Sequence, residues 1–194
     1  MILYVNSCIR KESRTDRIAR ALLNKLGDYE EVKIAEEDIH PLTIEKLEKR
    51  VRLILERNFN SEEFRFARQF AAADIIVISA PFWDMSFPTA LKAYFENIYI
   101  TGVVSEYGAD GRPHGLCRAK KLYYVTTAGG PYIPDHSYNY VRDLATVCFG
   151  IKETELIKAE MLDVKGFDAE EIVKTAISGL AQLPELSFRK HPSL

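Results

Sequence analysis

The chain has 194 residues, 47% of them hydrophobic and 28% charged, with a formal net charge of −2; this balance describes one soluble globular domain, residues 1–194, with room for a substantial core. Lys and Arg are scattered rather than clustered, which excludes the electrostatic footprint of a nucleic-acid binder, while no apolar run is long enough to span a bilayer and MILYVNSC enters a strand-like run without a signal-peptide pattern. Cys8, Cys117 and Cys148 are odd in number and far apart, as expected of free thiols in a reducing cytoplasm, and the dispersed His40, His114, His136 and His191, with no CxxC or HxxxH, predict no metal site.

Strands alternate with helices along the chain. Residues 2–5 form a short apolar run that ends at polar Asn6 and Ser7. Arg14–Leu26 carries Ile18, Ala21, Leu22 and Leu26 at helical spacing and stops at Gly27. Residues 31–35 alternate weakly as a second strand, and 43–57 and 61–70 read as charged amphipathic helices. Residues 74–79 (DIIVIS) are the clearest parallel-type strand, apolar through the centre. Pro88 opens a helix that runs to residue 100. Residues 122–127 (LYYVTT) form a fourth strand, 136–149 a helix stopped by Gly150, and 154–161 a fifth strand. Asp168 caps a last helix over 169–183, with Glu170 and Glu171 in its favourable first turn. Pro184 ends it, and a tail follows.

This rhythm predicts an α/β fold: a five-stranded parallel sheet in the flavodoxin-like order 2-1-3-4-5 with helices on both faces. One stretch breaks it. Residues 103–121 read as an irregular hairpin, with arms 103–107 and 116–120 around the turn GADGRPHG.

Open parallel sheets bind ligands at the carboxyl ends of their strands, and three of those ends are chemically unusual here. The loop SCIRKESRT supplies the hydroxyls of Ser7, Ser13 and Thr15 and the cations Arg10, Lys11 and Arg14 ahead of a helix N-terminus, a natural phosphate site. Read alone, Ser13 is equally a simple helix cap. The loop Pro81–Pro88 places Phe82, Trp83, Asp84 and Met85 beyond the third strand, with two large aromatics that a solvated connector does not need. The third loop, Thr127, Ala128, Gly129 and Gly130, offers a hydroxyl and glycines that allow close backbone approach. No G-x-x-x-x-G-K-[ST] and no G-x-G-x-x-G is present, which disfavours a triphosphate or a dinucleotide site. A monophosphate site, a polar middle and a flat aromatic wall together describe flavin mononucleotide (FMN).

The stretch PFWDMSFPTALKAYFE, followed by GV, a Tyr, a G-x-x-GL turn, KK, a strand and a glycine-rich end, resembles the FMN-dependent NAD(P)H:quinone oxidoreductases and azoreductases of the flavodoxin-like superfamily. Pro81, Trp83, Pro88, Leu91, Lys92, Tyr94 and Phe95 fit the family's loop and helix, and the resemblance covers nearly the whole chain. It implies that Ser7, Ser13 and Thr15, with Arg14 between the last two, hold the FMN phosphate. It also implies hydride transfer from NADH or NADPH through bound FMN to quinones, azo compounds or nitroaromatics by a ping-pong mechanism. Tyr107, Tyr132 and His136 are candidate walls of the substrate pocket, with packing or turn formation as the plainer reading. Asp84 stands where the family usually has Asn; ionised, it cannot donate the side-chain hydrogen bond of an amide. Ala128 stands where some relatives carry a larger basic residue.

The resemblance further implies a homodimer with both sites at the subunit interface. Tyr94, Phe95, Tyr99 and Ile100 spread round their helix and predict a second apolar face available to a partner. The alternative to an enzyme is a non-catalytic flavodoxin-like electron carrier or a flavin-binding regulator. A hydrolase is disfavoured by the absence of a G-x-S-x-G elbow.

Overall fold

The computed structural model describes residues 1–184, so the expected tail after Pro184 and His191 lie outside the described residues. The elements run β1 (Ile2–Asn6), α1 (Arg14–Leu26), β2 (Tyr29–Lys33), α2 (Ile44–Leu55), α3 (Arg65–Ala72), β3 (Ile75–Ser79), α4 (Thr89–Ile98), β4 (Ser105–Tyr107), β5 (Pro113–Gly115), β6 (Lys121–Thr127), α5 (Tyr138–Asp143), β7 (Glu153–Ala159) and α6 (Ala169–Gly179). Five strands pair in parallel in the order β2-β1-β3-β6-β7, and β4 and β5 form a separate antiparallel ribbon. This is the expected flavodoxin-like sheet.

The side-chain period of two along each strand divides the core. Leu3, Val5, Ile76, Ile78, Leu122 and Tyr124 face one side and pack with buried residues of α3, α4 and α5. Ile2, Tyr4, Ile75, Val77, Tyr123 and Val125 face the other and pack with α1 and α6. Every residue of β1 and β3 is buried, which is why these strands read as continuous apolar runs rather than as alternating ones.

Several boundaries differ from the sequence reading. β2 begins and ends two residues early, because Ile34–Glu36 tightens into a 3-10 turn that buries Ile34. The helix expected over 136–149 is α-helical only from Tyr138 to Asp143; Leu144–Phe149 continue as a π-helix that closes on left-handed Gly150. The last helix gives way at Leu180–Gln182 to a 3-10 turn.

The second arm of the hairpin is Pro113–Gly115, not residues 116–120. Those residues staple the ribbon to the body instead: the N–H groups of Cys117, Arg118 and Lys120 donate to the carbonyls of Phe149, Ala71 and Asp74. Gly115 lies flat against the π-segment, where a Cβ would meet the Phe149 carbonyl carbon at 2.0 Å and the Gly150 nitrogen at 2.1 Å. Only glycine permits that approach.

The apolar face expected on the helix after Pro88 is also corrected. Tyr94, Phe95 and Ile100 are buried within the chain itself, and Tyr99 is half-buried against Phe149. Tyr94 meets Phe66 and Phe70 of α3, and Phe95 meets Phe87 and Tyr140. A helix apolar on nearly all sides is a buried helix, and α3, the hairpin and α5 surround this one.

Candidate functional site

The carboxyl ends of β1, β3 and β6 open on a crevice of ≈ 860 Å³, within the range of small-ligand sites. Its floor is a buried polar network at the end of β1. Asn6 donates to Asp16 and Glu31 and accepts from the Cys8 N–H and the Ser79 hydroxyl, so all of its amide capacity is used. Tyr4 donates to Asp16 Oδ1 at 2.5 Å, and its hydroxyl lies 2.8 Å from Ser79 Oγ. Burial, then the Asp16 carboxylate, pushes the Tyr4 hydroxyl far above the ordinary tyrosine range, which keeps it a proton donor. Arg20 completes the set by binding Asp16 and Glu31. A fully satisfied buried network of this kind fixes geometry, and it fixes the first turn of α1 against β1.

Above that floor, Ser13 caps α1 by accepting from the Asp16 N–H at 3.2 Å. Among the described residues the N–H groups of Arg14 and Thr15 donate to nothing, so the helix presents free donors and its positive dipole end to the crevice. Thr15 Oγ1 lies 2.6 Å from Thr127 Oγ1. Arg10, Lys11, Arg14 and Arg17 line the same end. This donor set fits a phosphate. Ser7 is placed differently from the other hydroxyls: it is buried and donates to the Ser79 carbonyl at 2.7 Å, tying the start of the loop to β3. The Cys8 thiol, raised by burial, is also turned inward, 3.5 Å from Ser79 Oγ.

The second loop leaves β3 and runs beside the end of β6. Ala80 and Phe82 donate to the Val125 and Thr127 carbonyls, and Pro81, Phe82 and Trp83 wall the crevice. Trp83 and Ser86 exchange two backbone hydrogen bonds across a two-residue turn with φ 51° at Asp84 and 65° at Met85. Both central residues at positive φ make this a type I′ turn, a position suited to Asp and strained for Met. Asp84 and Met85 stand exposed at its tip, one residue beyond the wall.

The third loop is clamped from behind. Met161, Leu162 and Asp163 donate from their backbone to the carbonyls of Gly130, Ala128 and Gly129. Thr127, Ala128 and Gly129 face the crevice, and Gly130 lies just past it. A Cβ on Gly129 would meet Asp163 Oδ2 at 2.5 Å, so the carboxylate of Asp163 lies close against this glycine.

Tyr107, Tyr132 and His136 do not line the crevice. Tyr107 lies on the hairpin, 58% exposed. Tyr132 is buried, with its ring 4.4 Å from that of Phe82 and its hydroxyl bonded to Asp135 and Ser137, so it backs the aromatic wall. His136 is exposed, and its carbonyl accepts from the Ser86 hydroxyl. Sequence reasoning missed Asp16, Leu162, Asp163 and Glu170 as lining residues. Asp163 pairs with Arg14 at 3.0 Å, and Glu170 pairs bidentately with Arg17. The signal was available: the acidic stretch MLDVKGFDAEE follows the carboxyl end of β7, on the crevice side of the same sheet.

Among the described residues no group of three or more His, Cys, Asp or Glu side chains is placed to hold a metal, and no helix is long and apolar enough to cross a membrane.

Comparison with known proteins agrees with this geometry. A family model described as a flavodoxin-like fold matches residues 1–183. An FMN-dependent NADH:quinone oxidoreductase of Coprothermobacter proteolyticus is 33% identical over 195 residues, covering 94% of this chain and 96% of the relative. The chain belongs to this FMN-dependent oxidoreductase family on the flavodoxin-like fold. A second family member, FMN-dependent NADH:quinone oxidoreductase 2 of Clostridium perfringens, is 34% identical over 188 residues, covering 91% and 93%. The azoreductase of Bacillus anthracis shares the family fold at a TM-score of 0.80 and 20% identity, over 93% of this chain and 96% of that one.

Proposed function

We propose that this chain is an FMN-dependent oxidoreductase that passes electrons from NADH or NADPH to quinone, azo and nitroaromatic acceptors. The observation that carries this reading is the crevice itself. One end is a capped helix with free amides, hydroxyls and cations; the other is a wall of Phe82 and Trp83 backed by Tyr132. Bound there, FMN supplies the two-electron redox chemistry.

The chain's own residues bind and orient. The Arg14 and Thr15 amides and the Thr15 and Thr127 hydroxyls suit the phosphate and the polar chain next to it. Gly129 lines the crevice between these groups. Among the described residues the N–H groups of Asp84 and Met85 donate to nothing and suit the polar edge of a flat ring, with Trp83 walling the crevice beside them. No side chain need act as a nucleophile. One crevice serves donor and acceptor in turn, which predicts ping-pong kinetics.

The protein acts as a homodimer in the cytoplasm. Support for the dimer comes from α2 rather than from α4. Ile44, Leu47, Val51 and Leu55 form a stripe at helical spacing along α2, with Ile44 80% and Leu55 79% exposed. Glu48 and Arg52 border it. Two copies of α2 packed antiparallel about a two-fold axis set Glu48 of each beside Arg52 of the other, a self-complementary contact.

Steady-state oxidation of NADH and NADPH by the FMN-loaded protein, with a quinone as acceptor, tests the function. Parallel double-reciprocal lines are expected. A protein that holds FMN but turns over neither nucleotide would instead be an electron carrier.

A further inference from the structure

Asp163 is an exposed acid placed by its backbone beside Arg14. Its N–H donates to the Gly129 carbonyl at 2.8 Å, its side chain closes against the Gly129 α-carbon, and Oδ1 accepts from Arg14 Nη1 at 3.0 Å. A negative charge is thereby fixed at the anion end of the crevice, on the loop that clamps the third wall. Arg14 is the first residue of α1, beside the free helix amides, and this bond to Asp163 uses a single nitrogen of its guanidinium. Arg17 is engaged differently: both of its terminal nitrogens are taken by Glu170. Of the two arginines on the first turn of α1, Arg14 is therefore the one whose balance between a protein carboxylate and an incoming phosphate is open.

Resting on the flavin-site reading above, we propose that Asp163 is a specificity-determining residue that competes with the cofactor phosphate for Arg14 and so sets how strongly the site prefers a phosphorylated flavin. A phosphate arriving at the head of α1 meets Arg14 already half-neutralised. Charge-assisted hydrogen bonds are the strong ones at such a site, and the backbone bond of Asp163 to Gly129 keeps its carboxylate within reach of Arg14. The acid's effect acts only on the charged end of the ligand; the ring and the polar chain meet other walls. Solvent at the exposed carboxylate limits its size.

The test titrates apoprotein with FMN and, separately, with riboflavin, which lacks the phosphate, following flavin fluorescence. The native chain, Asp163→Asn, Arg14→Gln and the double variant are compared. Asp163→Asn keeps the shape and is expected to tighten FMN about three- to tenfold while moving riboflavin by less than about twofold. Arg14→Gln weakens FMN alone. In the Arg14→Gln background the gain from Asp163→Asn disappears, because the contested cation is gone. Equal shifts for both flavins assign Asp163 a merely structural role and overturn the proposal, as does FMN affinity unmoved or weakened by Asp163→Asn. A gain that persists without Arg14 overturns it too. Native apoprotein that binds neither flavin overturns the flavin-site reading instead.

Discussion

Thr15 Oγ1 and Thr127 Oγ1 lie 2.6 Å apart, so the first turn of α1 and the last residue of β6 share one hydrogen bond at the mouth of the crevice. Thr15 is buried and Thr127 half-buried. The contact joins the phosphate end of the site to its polar middle.

Ser13 and Thr15 therefore separate in their effects. Ser13→Ala removes the cap on Asp16 and is expected to cost about 0.5–2 kcal/mol of stability, read as a lower denaturant midpoint. Thr15→Val keeps the shape, removes the hydroxyl and is expected to weaken FMN about tenfold or more, since a hydrogen bond to a charged group is worth about 1.5–3 kcal/mol. Thr15→Val with native FMN affinity would take this hydroxyl out of the site.

The turn at Asp84 and Met85 is set by backbone conformation. With φ at 51° and 65°, both residues occupy the left-handed region. Asp84→Asn is expected to fold with native stability, because both residues tolerate that region. Asp84→Val is expected to lose about 1–2 kcal/mol. Thermal unfolding of the two variants side by side checks this; equal midpoints would contradict it.

How much of this was legible beforehand depends on how local each signal is. The five strands, their order and the three converging loops were readable, because buried parallel strands announce themselves as apolar runs and the order follows from the βαβ rhythm. The second hairpin arm was not. Residues 116–120 look as strand-like as 113–115, and the decision rests on Gly115 meeting the Phe149–Gly150 backbone, a contact between segments distant in sequence. The aromatics of α4 misled for a related reason: a helical wheel counts faces but does not see that α3 covers Tyr94 while Phe87 and Tyr140 cover Phe95. Asp163 was missed because its partner, Arg14, is 149 residues away.

Tyr132 gives the aromatic wall a pH signature. Burial, helped by the Asp135 carboxylate and opposed by the hydrogen bonds to Ser137 and the Tyr138 N–H, pushes its hydroxyl up to about 12. The unfolded chain ionises tyrosine near 10. The folded state thus holds the proton where the unfolded state has lost it, so the stability contribution is complete below about pH 10 and is lost as pH rises towards 12. Relative to Tyr132→Phe, the native protein is expected to lose roughly 1 kcal/mol per pH unit across that window. Parallel stability curves for the two proteins between pH 10 and 12 would contradict it.

Dimerisation through α2 is open to a direct test. Leu47→Glu places a charge in the middle of the exposed stripe and touches no crevice residue. Sedimentation at low micromolar concentration is expected to give a dimer for the native chain and a monomer for the variant. A Leu47→Glu dimer of unchanged stability would exclude α2 from the contact.

The most direct test of the flavin site is the choice between FMN and FAD. Among the described residues the crevice offers one helix N-terminus with neighbouring cations for a phosphate, at the head of α1. Titration of apoprotein with each flavin, followed by its absorption and fluorescence, is expected to show one FMN bound per chain, more tightly than FAD, with NAD(P)H:quinone activity rising in step with occupancy. Tighter binding of FAD, or full activity without bound flavin, would contradict it.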